Sequence, residues 1–253
     1  MRYIKSALVL LLLMFVFCIN ASADATVPIL LYHNVLEEYP DSDSIVTITP
    51  NMLEQHIISL LNAGYTPISF DDYLNASKGI CALPEKPVII TFDDGYETNY
   101  TYAYPLFKKY NVKATIFVAA KYMGETPGLY KHFTWEQARD MQNSGLVSIQ
   151  SHTYSHENMT EKDLYSAESE IRYSKYLIEK NLGTKCNILA FPYGFHNTDL
   201  LNRAHRAGYD IAVQVGNFGS NTLADAGKAL VRITVYGSWT GDDLLWNVVN
   251  FQV

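Results

Sequence analysis

Short apolar runs alternate along this chain with longer segments in which apolar residues recur at helical spacing. The runs that we predict as β-strands are Val27–Tyr32, Tyr65–Ile68, Val88–Phe92, Ala114–Val118, Val147–Gln150, Ile188–Phe191, Ile211–Gln214 and Leu230–Val235. Strands that alternate with helices are typical of a parallel sheet, because each parallel connection needs a long crossover. Eight such units favour a parallel (β/α) barrel. An open doubly wound sheet is the alternative, although the chain has no Gly-x-Gly-x-x-Gly turn.

Helix-capping residues mark the segments between these strands. The helices that we predict run from Thr49 to Gly64, from Thr134 to about Ser144, from Thr160 to near Gly183 and from Asn197 to Ala207. Thr49 precedes a proline and Thr134 stands three residues before a glutamine, and both patterns are typical of helix starts. We also predict His56 on a solvated helix face and His132 in an exposed loop.

Residues that can carry out chemistry follow directly after several of the apolar runs. These residues are His33, Asp93, Asp94, His152, His156 and Tyr193. In a parallel barrel the carboxyl ends of all strands open onto one face, and active sites lie on that face. The sequence therefore predicts that these side chains form one site.

The pair Asp93 and Asp94 ends a run that reads as a buried strand. Two adjacent carboxylates at such a place are costly unless a cation or a catalytic task stabilises them. Downstream, His152 and His156 supply two imidazoles, and one carboxylate with two histidines is a common ligand set for catalytic zinc. The second carboxylate is then free to act as a base. Each pattern alone also fits a turn or a surface histidine pair, but their joint presence favours a metal site.

Three motifs together resemble the NodB-type polysaccharide deacetylases, carbohydrate esterase family four. They are Thr-Phe-Asp-Asp-Gly at 91–95, Ser-His-Thr-Tyr-Ser-His at 151–156 and Phe-Pro-Tyr-Gly at 191–194. The resemblance covers most of the chain after residue 23. It implies a single-domain, distorted parallel (β/α) barrel of the polysaccharide deacetylase type. It also implies a hydrolase of carbon–nitrogen (non-peptide) bonds that removes acetyl groups from sugars.

The same resemblance assigns roles to the matching residues. Asp94, His152 and His156 would bind the metal, Zn²⁺ or another divalent transition metal. Asp93 would be the general base, and the backbone N–H of Tyr193 would donate a hydrogen bond to the developing oxyanion.

This chain departs from the family pattern at two places, and each departure leads to a further candidate site residue. Many relatives carry an acid histidine near the C-terminus, which this chain lacks, whereas His33 ends the first predicted strand as in the poly-N-acetylglucosamine deacetylase branch. We therefore expect His33 to be the general acid, the alternative being a histidine that fills the barrel rim. Many relatives also have an arginine where Ala190 stands here. We expect Arg232 to supply that guanidinium to Asp93, the alternative being an outward-facing charge.

The resemblance implies hydrolytic deacetylation of N-acetylglucosamine-containing polysaccharide, with poly-β-1,6-N-acetylglucosamine as the favoured polymer and the acetylated polysaccharide as the partner. Peptidoglycan, chitin or xylan deacetylation stays open, as does a catalytically weak carbohydrate-binding homologue. A net charge of −7 without a basic run gives no sign of nucleic-acid binding.

The N-terminus has the pattern of a secretory signal. Basic residues precede the apolar run Ala7–Ile19, and an Ala-Ser-Ala sequence ends at Ala23. We predict a signal peptide at 1–23, a catalytic domain at 24–253, and a secreted or cell-surface protein, with an uncleaved anchor as the alternative. In that compartment Cys81 and Cys186 form either one disulfide or two separate thiols.

Overall fold

The structure is a computed structural model that describes residues 26–38, 45–216 and 221–250. The predicted signal peptide at 1–23 lies outside the described residues. Among the described helices, none combines the length and the apolar character that crossing a membrane requires.

All strand pairings in the described sheet are parallel. The strands are β1 Ile29–Tyr32, β2 Thr66–Pro67, β3 Pro87–Phe92, β4 Ala114–Val118, β5 Val147–Ser151, β6 Ile188–Ala190, β7 Ile211–Val213, β8 Ala229–Leu230 and β9 Ile233–Thr234. They lie in the order β8-β7-β6-β5-β4-β3-β1-β9, and β2 pairs with β3 beside this path. The predicted strands are therefore present, with the last one divided.

The prediction of one continuous strand at Leu230–Val235 is wrong. Its first part pairs with β7 and its second part pairs with β1, at opposite ends of the strand order. Only Val231 and Arg232 separate these two short strands, so the chain itself bridges the two edges of the curled sheet. The result is the distorted parallel (β/α) barrel expected from the sequence, and the open doubly wound sheet is excluded.

Seven α-helices occur in the described part of the chain. They are α1 Pro50–Asn62, α2 Phe70–Ser77, α3 Tyr104–Tyr110, α4 Trp135–Asn143, α5 Leu164–Leu182, α6 Thr198–Arg206 and α7 Gly241–Asn250. The predicted start of the long helix at Thr160 is wrong. That residue lies in a separate 3₁₀ turn, and α5 begins after Asp163, whose carboxylate accepts hydrogen bonds from the Tyr165 and Ser166 N–H groups.

Successive residues of the strands face two different apolar layers. Leu30 and Ile90 belong to the larger cluster, which includes helix residues and therefore lies between the sheet and the helices. Ile29 and Ile89 belong to the smaller cluster on the other face of the same strands, inside the curl. Asp93 lies four residues after Ile89 and therefore faces the same side of the strand. Its charged side chain thus points toward the interior at the carboxyl end of β3.

Candidate metal centre

The carboxyl ends of β3 and β5 place the predicted ligands side by side. Asp93 and Asp94 follow β3 directly, and His152 follows β5, its N–H donating to the Val118 carbonyl at 2.9 Å. One ligand atom each from Asp94, His152 and His156 lie within 4.8 Å of one another. The three side chains can therefore point to a common centre.

The spacing of these atoms fits a divalent cation of zinc size. Nε2 of His156 lies 3.3 Å from Oδ1 of Asp94, and Nε2 of His152 lies 3.8 Å from the same oxygen. Ligands at about 2.0–2.1 Å from a tetrahedral zinc stand roughly 3.3–3.4 Å apart. The two separations from Asp94 are close to that value, whereas the full set spans up to 4.8 Å and has to contract around a bound ion. His152 is buried whereas Asp94 and His156 are partly exposed, which leaves one side of the centre accessible from solvent.

His152 is oriented and neutral, as a metal ligand has to be. Its Nδ1 lies 2.8 Å from the carbonyl oxygen of Ala190, which only accepts, so Nδ1 carries the proton. The unprotonated Nε2 faces both carboxylates, 3.5 Å from Oδ2 of Asp93 and 3.8 Å from Oδ1 of Asp94. Burial lowers the pKa of His152 to about 4, although Asp93 opposes that shift. The imidazole is therefore uncharged at neutral pH and its Nε2 lone pair is free.

Four residues of the site share an unusual backbone conformation. Positive φ angles occur at Asp94 (71°), Thr153 (65°), His156 (56°) and Tyr193 (60°), and Asn111 is the only other non-glycine residue of the described chain with one. Such conformations are sparsely populated outside glycine and concentrate at functional sites. Tertiary contacts must therefore hold these segments in place.

Asp93 and Arg232 form a buried, two-pronged ion pair. Nη1 and Nη2 of Arg232 each donate to one Asp93 oxygen at 2.7 Å, and Nε donates to the Gln214 carbonyl at 3.1 Å. Burial by itself would raise the pKa of Asp93. The charge of Arg232 and its hydrogen bonds to the carboxylate outweigh burial and hold that pKa well below its usual range. Arg232 is 0% exposed, so the outward-facing alternative is excluded.

The two remaining candidates lie on the same face. His33 follows β1, whose Tyr32 carbonyl accepts a hydrogen bond from Asp93 N–H at 2.9 Å, so the two residues end adjacent strands. The Nδ1 atom of His33 is buried and has no hydrogen-bond partner among the described residues. The Tyr193 ring lies 4.9 Å from the ring of His156. The structure thus brings all seven predicted residues together, while their roles stay predictions.

Sequence reasoning missed two residues beside Asp94. His132 is buried rather than exposed, and its Nδ1 donates to the backbone carbonyl of Asp94 at 2.9 Å. Tyr96 forms an isolated antiparallel bridge with His132, and burial together with the nearby Asp94 charge raises the pKa of its hydroxyl. The aromatic residues at 130–133 were the only local signal, because the contact joins segments 38 residues apart.

Two cavities flank His156. The first, about 250 Å³, is lined by Asp94, Tyr96, Ala119, Tyr122, Pro127, Gly128, Leu129, Tyr130, His132 and His156. The second, about 650 Å³, is lined by His156, Glu157, Asn158, Glu161, Lys162, Tyr193 and Phe195. Both cavities therefore open beside the candidate ligand His156, and three tyrosines line the first.

The fold and the site define a (β/α)-barrel protein with a candidate mononuclear metal centre and an adjacent buried carboxylate. Comparison with known protein families identifies the family of this barrel. The model of the polysaccharide deacetylase family matches residues 82–212, just over half of the chain. The chain belongs to the polysaccharide deacetylase family, as expected from its motifs. Members of that family are hydrolases of carbon–nitrogen bonds, which agrees with the expected enzyme class.

Curated relatives agree with this membership. YxkH of Bacillus subtilis (strain 168), which is named as a polysaccharide deacetylase, is 34% identical over 198 residues, covering 77% of this chain and 66% of the relative. A poly-β-1,6-N-acetyl-D-glucosamine N-deacetylase of Escherichia coli (strain K12) is 26% identical over 218 residues, covering 71% and 32%. The chain thus spans only about a third of the length of the E. coli enzyme.

Solved structures confirm the fold. A Streptococcus pyogenes deacetylase, PplD, solved in complex with acetate, superposes with a TM-score of 0.80 at 26% identity, covering 88% of this chain and 98% of that chain. IcaB from Ammonifex degensii superposes with a TM-score of 0.76 at 24% identity, covering 90% and 97%. Both share the curled parallel barrel described above.

Proposed function

We propose that this protein is a metal-dependent hydrolase that removes acetyl groups from N-acetylglucosamine-containing polysaccharide. Water cleaves the amide, and the products are acetate and a free sugar amine. The observation that carries the proposal is the ionised, buried Asp93 beside three convergent metal ligands at the open face of the barrel. A module that only bound carbohydrate would have no use for such a base, so the catalytically weak homologue is the less supported alternative.

Asp94, His152 and His156 would hold Zn²⁺ or another divalent transition metal. When bound, such a cation supplies Lewis-acid polarisation of the acetyl carbonyl and increases the acidity of a nearby water. Neutral His152, with its Nδ1 proton engaged by Ala190, is already arranged for this task.

Asp93 accepts the proton of the attacking water in this proposal. Its depressed pKa keeps it anionic across the neutral range, so a proton acceptor is always present. Arg232 holds both carboxylate oxygens at 2.7 Å and so fixes the direction in which the remaining lone pairs point. Arg232 thereby acts through Asp93 and is a positioning residue.

His33 and Tyr193 complete the proposed chemistry. The water oxygen bonds to the acetyl carbon, the backbone N–H of Tyr193 donates to the developing oxyanion, and the carbon–nitrogen bond then breaks. The leaving nitrogen needs a proton, which His33 supplies as the general acid. The proton taken up by Asp93 balances the one that His33 gives.

Poly-β-1,6-N-acetylglucosamine is the substrate that we favour. Enzymes named for this polymer in Escherichia coli and Staphylococcus aureus are 26% and 31% identical to this chain. The tyrosine-rich cavity beside the centre suits the apolar face of a sugar ring, since tyrosine combines a large apolar surface with a polar end. Peptidoglycan, chitin and xylan are the rival substrates.

A panel of acetylated glycans tests the substrate. Purified protein is incubated with β-1,6-linked N-acetylglucosamine oligomers, chitin oligomers, peptidoglycan fragments and acetylated xylan, and released acetate is quantified. We expect the highest kcat/KM on the β-1,6-linked oligomer. A higher value on chitin or peptidoglycan would replace the proposed polymer while leaving amide hydrolysis intact. A higher value on xylan, whose acetyl groups are esters, would replace the reaction class as well.

We propose further that residues 1–23 are a signal peptide and that residues 24–253 act as one secreted or cell-surface catalytic domain. The basic residues and the apolar run that precede Ala23 support this assignment. N-terminal sequencing of the protein from the producing cells tests it, with a chain beginning at Asp24 expected. An intact N-terminus in the membrane fraction would favour the uncleaved anchor.

A further inference from the structure

The loop that carries His156 is held by hydrogen bonds to a residue that is not one of the three proposed metal ligands. Both Thr153 and His156 have positive φ angles, so the backbone between the two histidine ligands is locally unfavourable. Ser155, the residue directly before His156, is 6% exposed, and its polar groups need partners within the protein.

Glu170 of α5 supplies these partners. Its Oε2 accepts a hydrogen bond from the backbone N–H of Ser155 at 2.7 Å, and its Oε1 accepts one from the Ser155 hydroxyl at 2.7 Å. One carboxylate therefore accepts from both the backbone and the side chain of Ser155. The hydroxyl has a second acceptor in Glu157 at 3.0 Å, whereas the backbone N–H bonds Glu170. Charge-assisted hydrogen bonds of this length are among the stronger ones in proteins.

We propose that Glu170 is a positioning residue for the metal ligand His156. It clamps Ser155 and thereby holds the following residue in the left-handed conformation that brings Nε2 within 3.3 Å of Asp94. The inference rests on the proposed function only in that His156 serves as a ligand. It links the outer helix layer to the residue next to a proposed ligand, because Glu170 contacts Ser155 from fifteen residues further along the chain.

The clamp matters because Glu170 is the acceptor of the Ser155 backbone N–H, while Glu157 accepts only from the hydroxyl. Without Glu170 the enclosed Ser155 N–H loses its acceptor, and an unsatisfied buried donor is destabilising enough to favour a rearranged loop. A rearranged loop moves the His156 imidazole away from the other two ligands. Removing such an outer partner typically weakens metal binding by about 10–100-fold.

The test measures zinc affinity by competition with a chromogenic chelator in metal-stripped protein. Glu170→Ala removes the clamp, whereas Glu170→Gln keeps it, because the amide oxygen accepts from Ser155 N–H and the amide N–H donates to the hydroxyl. Glu168→Ala is the matched control, since Glu168 is on the same helix but pairs with Arg172 and Arg203 instead.

We expect Glu170→Ala to bind zinc about 10–100-fold more weakly, with Glu170→Gln and Glu168→Ala close to wild type. Wild-type affinity in Glu170→Ala would overturn the proposal. An equal loss in Glu170→Gln would overturn it too, because charge rather than the clamp would then be responsible. Thermal unfolding of the metal-free variants separates a loss of affinity from a loss of folded protein.

If Glu170→Ala does not fold, Ser155→Ala provides the answer. It removes the hydroxyl bonds to Glu170 and Glu157 but keeps the backbone bond to Glu170, so an intermediate loss of zinc affinity is expected and an unchanged affinity contradicts the clamp. Zinc affinity does not depend on any polysaccharide. Wild-type protein that binds zinc but releases no acetate would therefore refute the proposed function without touching this inference.

Discussion

Replacing Arg232 by methionine leaves Asp93 as an unpaired charge inside the barrel. Both side chains are almost completely buried, and two hydrogen bonds of 2.7 Å join them. Breaking a buried pair by removing one partner costs about 3–5 kcal/mol of unfolding free energy. In a domain of this size such a loss lowers Tm by about 6–20 °C. Methionine retains much of the apolar stem of arginine, which limits the contribution of a cavity.

A double-mutant cycle isolates the pair itself. The variants are Arg232→Met, Asp93→Asn and the combination of both, measured by denaturant unfolding in metal-free protein. Because the double variant contains neither buried charge, we expect its loss to be smaller than the sum of the single losses by several kcal/mol. Additive losses, or an Arg232→Met variant within about 1 kcal/mol of wild type, would refute the reasoning.

Further predictions concern the metal, pH and thiols. Zinc at 100 times its Kd should stabilise the protein by about 2.7 kcal/mol in thermal unfolding, and Asp94→Ala should abolish that gain. Burial lowers the pKa of His56 in the folded protein. Its contribution to the free energy of unfolding is therefore complete above about pH 6.5 and is lost as the pH falls, because the unfolded chain then binds a proton that the folded protein does not. His56→Gln should flatten this loss between pH 7 and 5, and an unchanged slope in urea titrations would contradict it. Native alkylation followed by peptide mapping should label exposed Cys81 but not Cys186, whose pKa burial raises to about 12.

The sequence predicts those parts of the fold that local spacing controls. The strand before Asp93 and the segment around His152 are recognisable because apolar runs end abruptly in polar residues at both places. Both cysteines are free in the structure, an outcome that spacing left open. The division of the last strand was not predictable, since it depends on which distant strand each half pairs with.

The burial of two histidines was likewise not predictable from local sequence spacing. We predict His56 on the solvated face of its helix, yet in the structure this residue of α1 is buried and its Nε2 lies 2.9 Å from the Trp239 carbonyl oxygen. Helical periodicity indicates the face toward the sheet but not a second face covered by α7, which packs against α1. His132 was missed for a similar reason, because its partner Asp94 belongs to another segment.

The role of Arg232 was predictable from the sequence only in part. An arginine within an apolar run indicates that something unusual is paired there, and Asp93 was the natural candidate. The geometry of the pair depends on the barrel edges being bridged at this residue, a tertiary feature that one strand pattern does not contain.

The most direct test of the central claim is acetate release from a soluble β-1,6-N-acetylglucosamine oligomer by purified protein. Acetate release is measured with the protein as isolated, after its metal has been removed by a chelator, and after zinc has been restored. Asp93→Asn is the matched variant. We expect one new amine per acetate, activity that disappears and returns with the metal, and a variant that binds zinc but turns over at least about 100-fold more slowly. Activity that survives complete chelation, or wild-type turnover by Asp93→Asn, would contradict metal-dependent hydrolysis with Asp93 as the base.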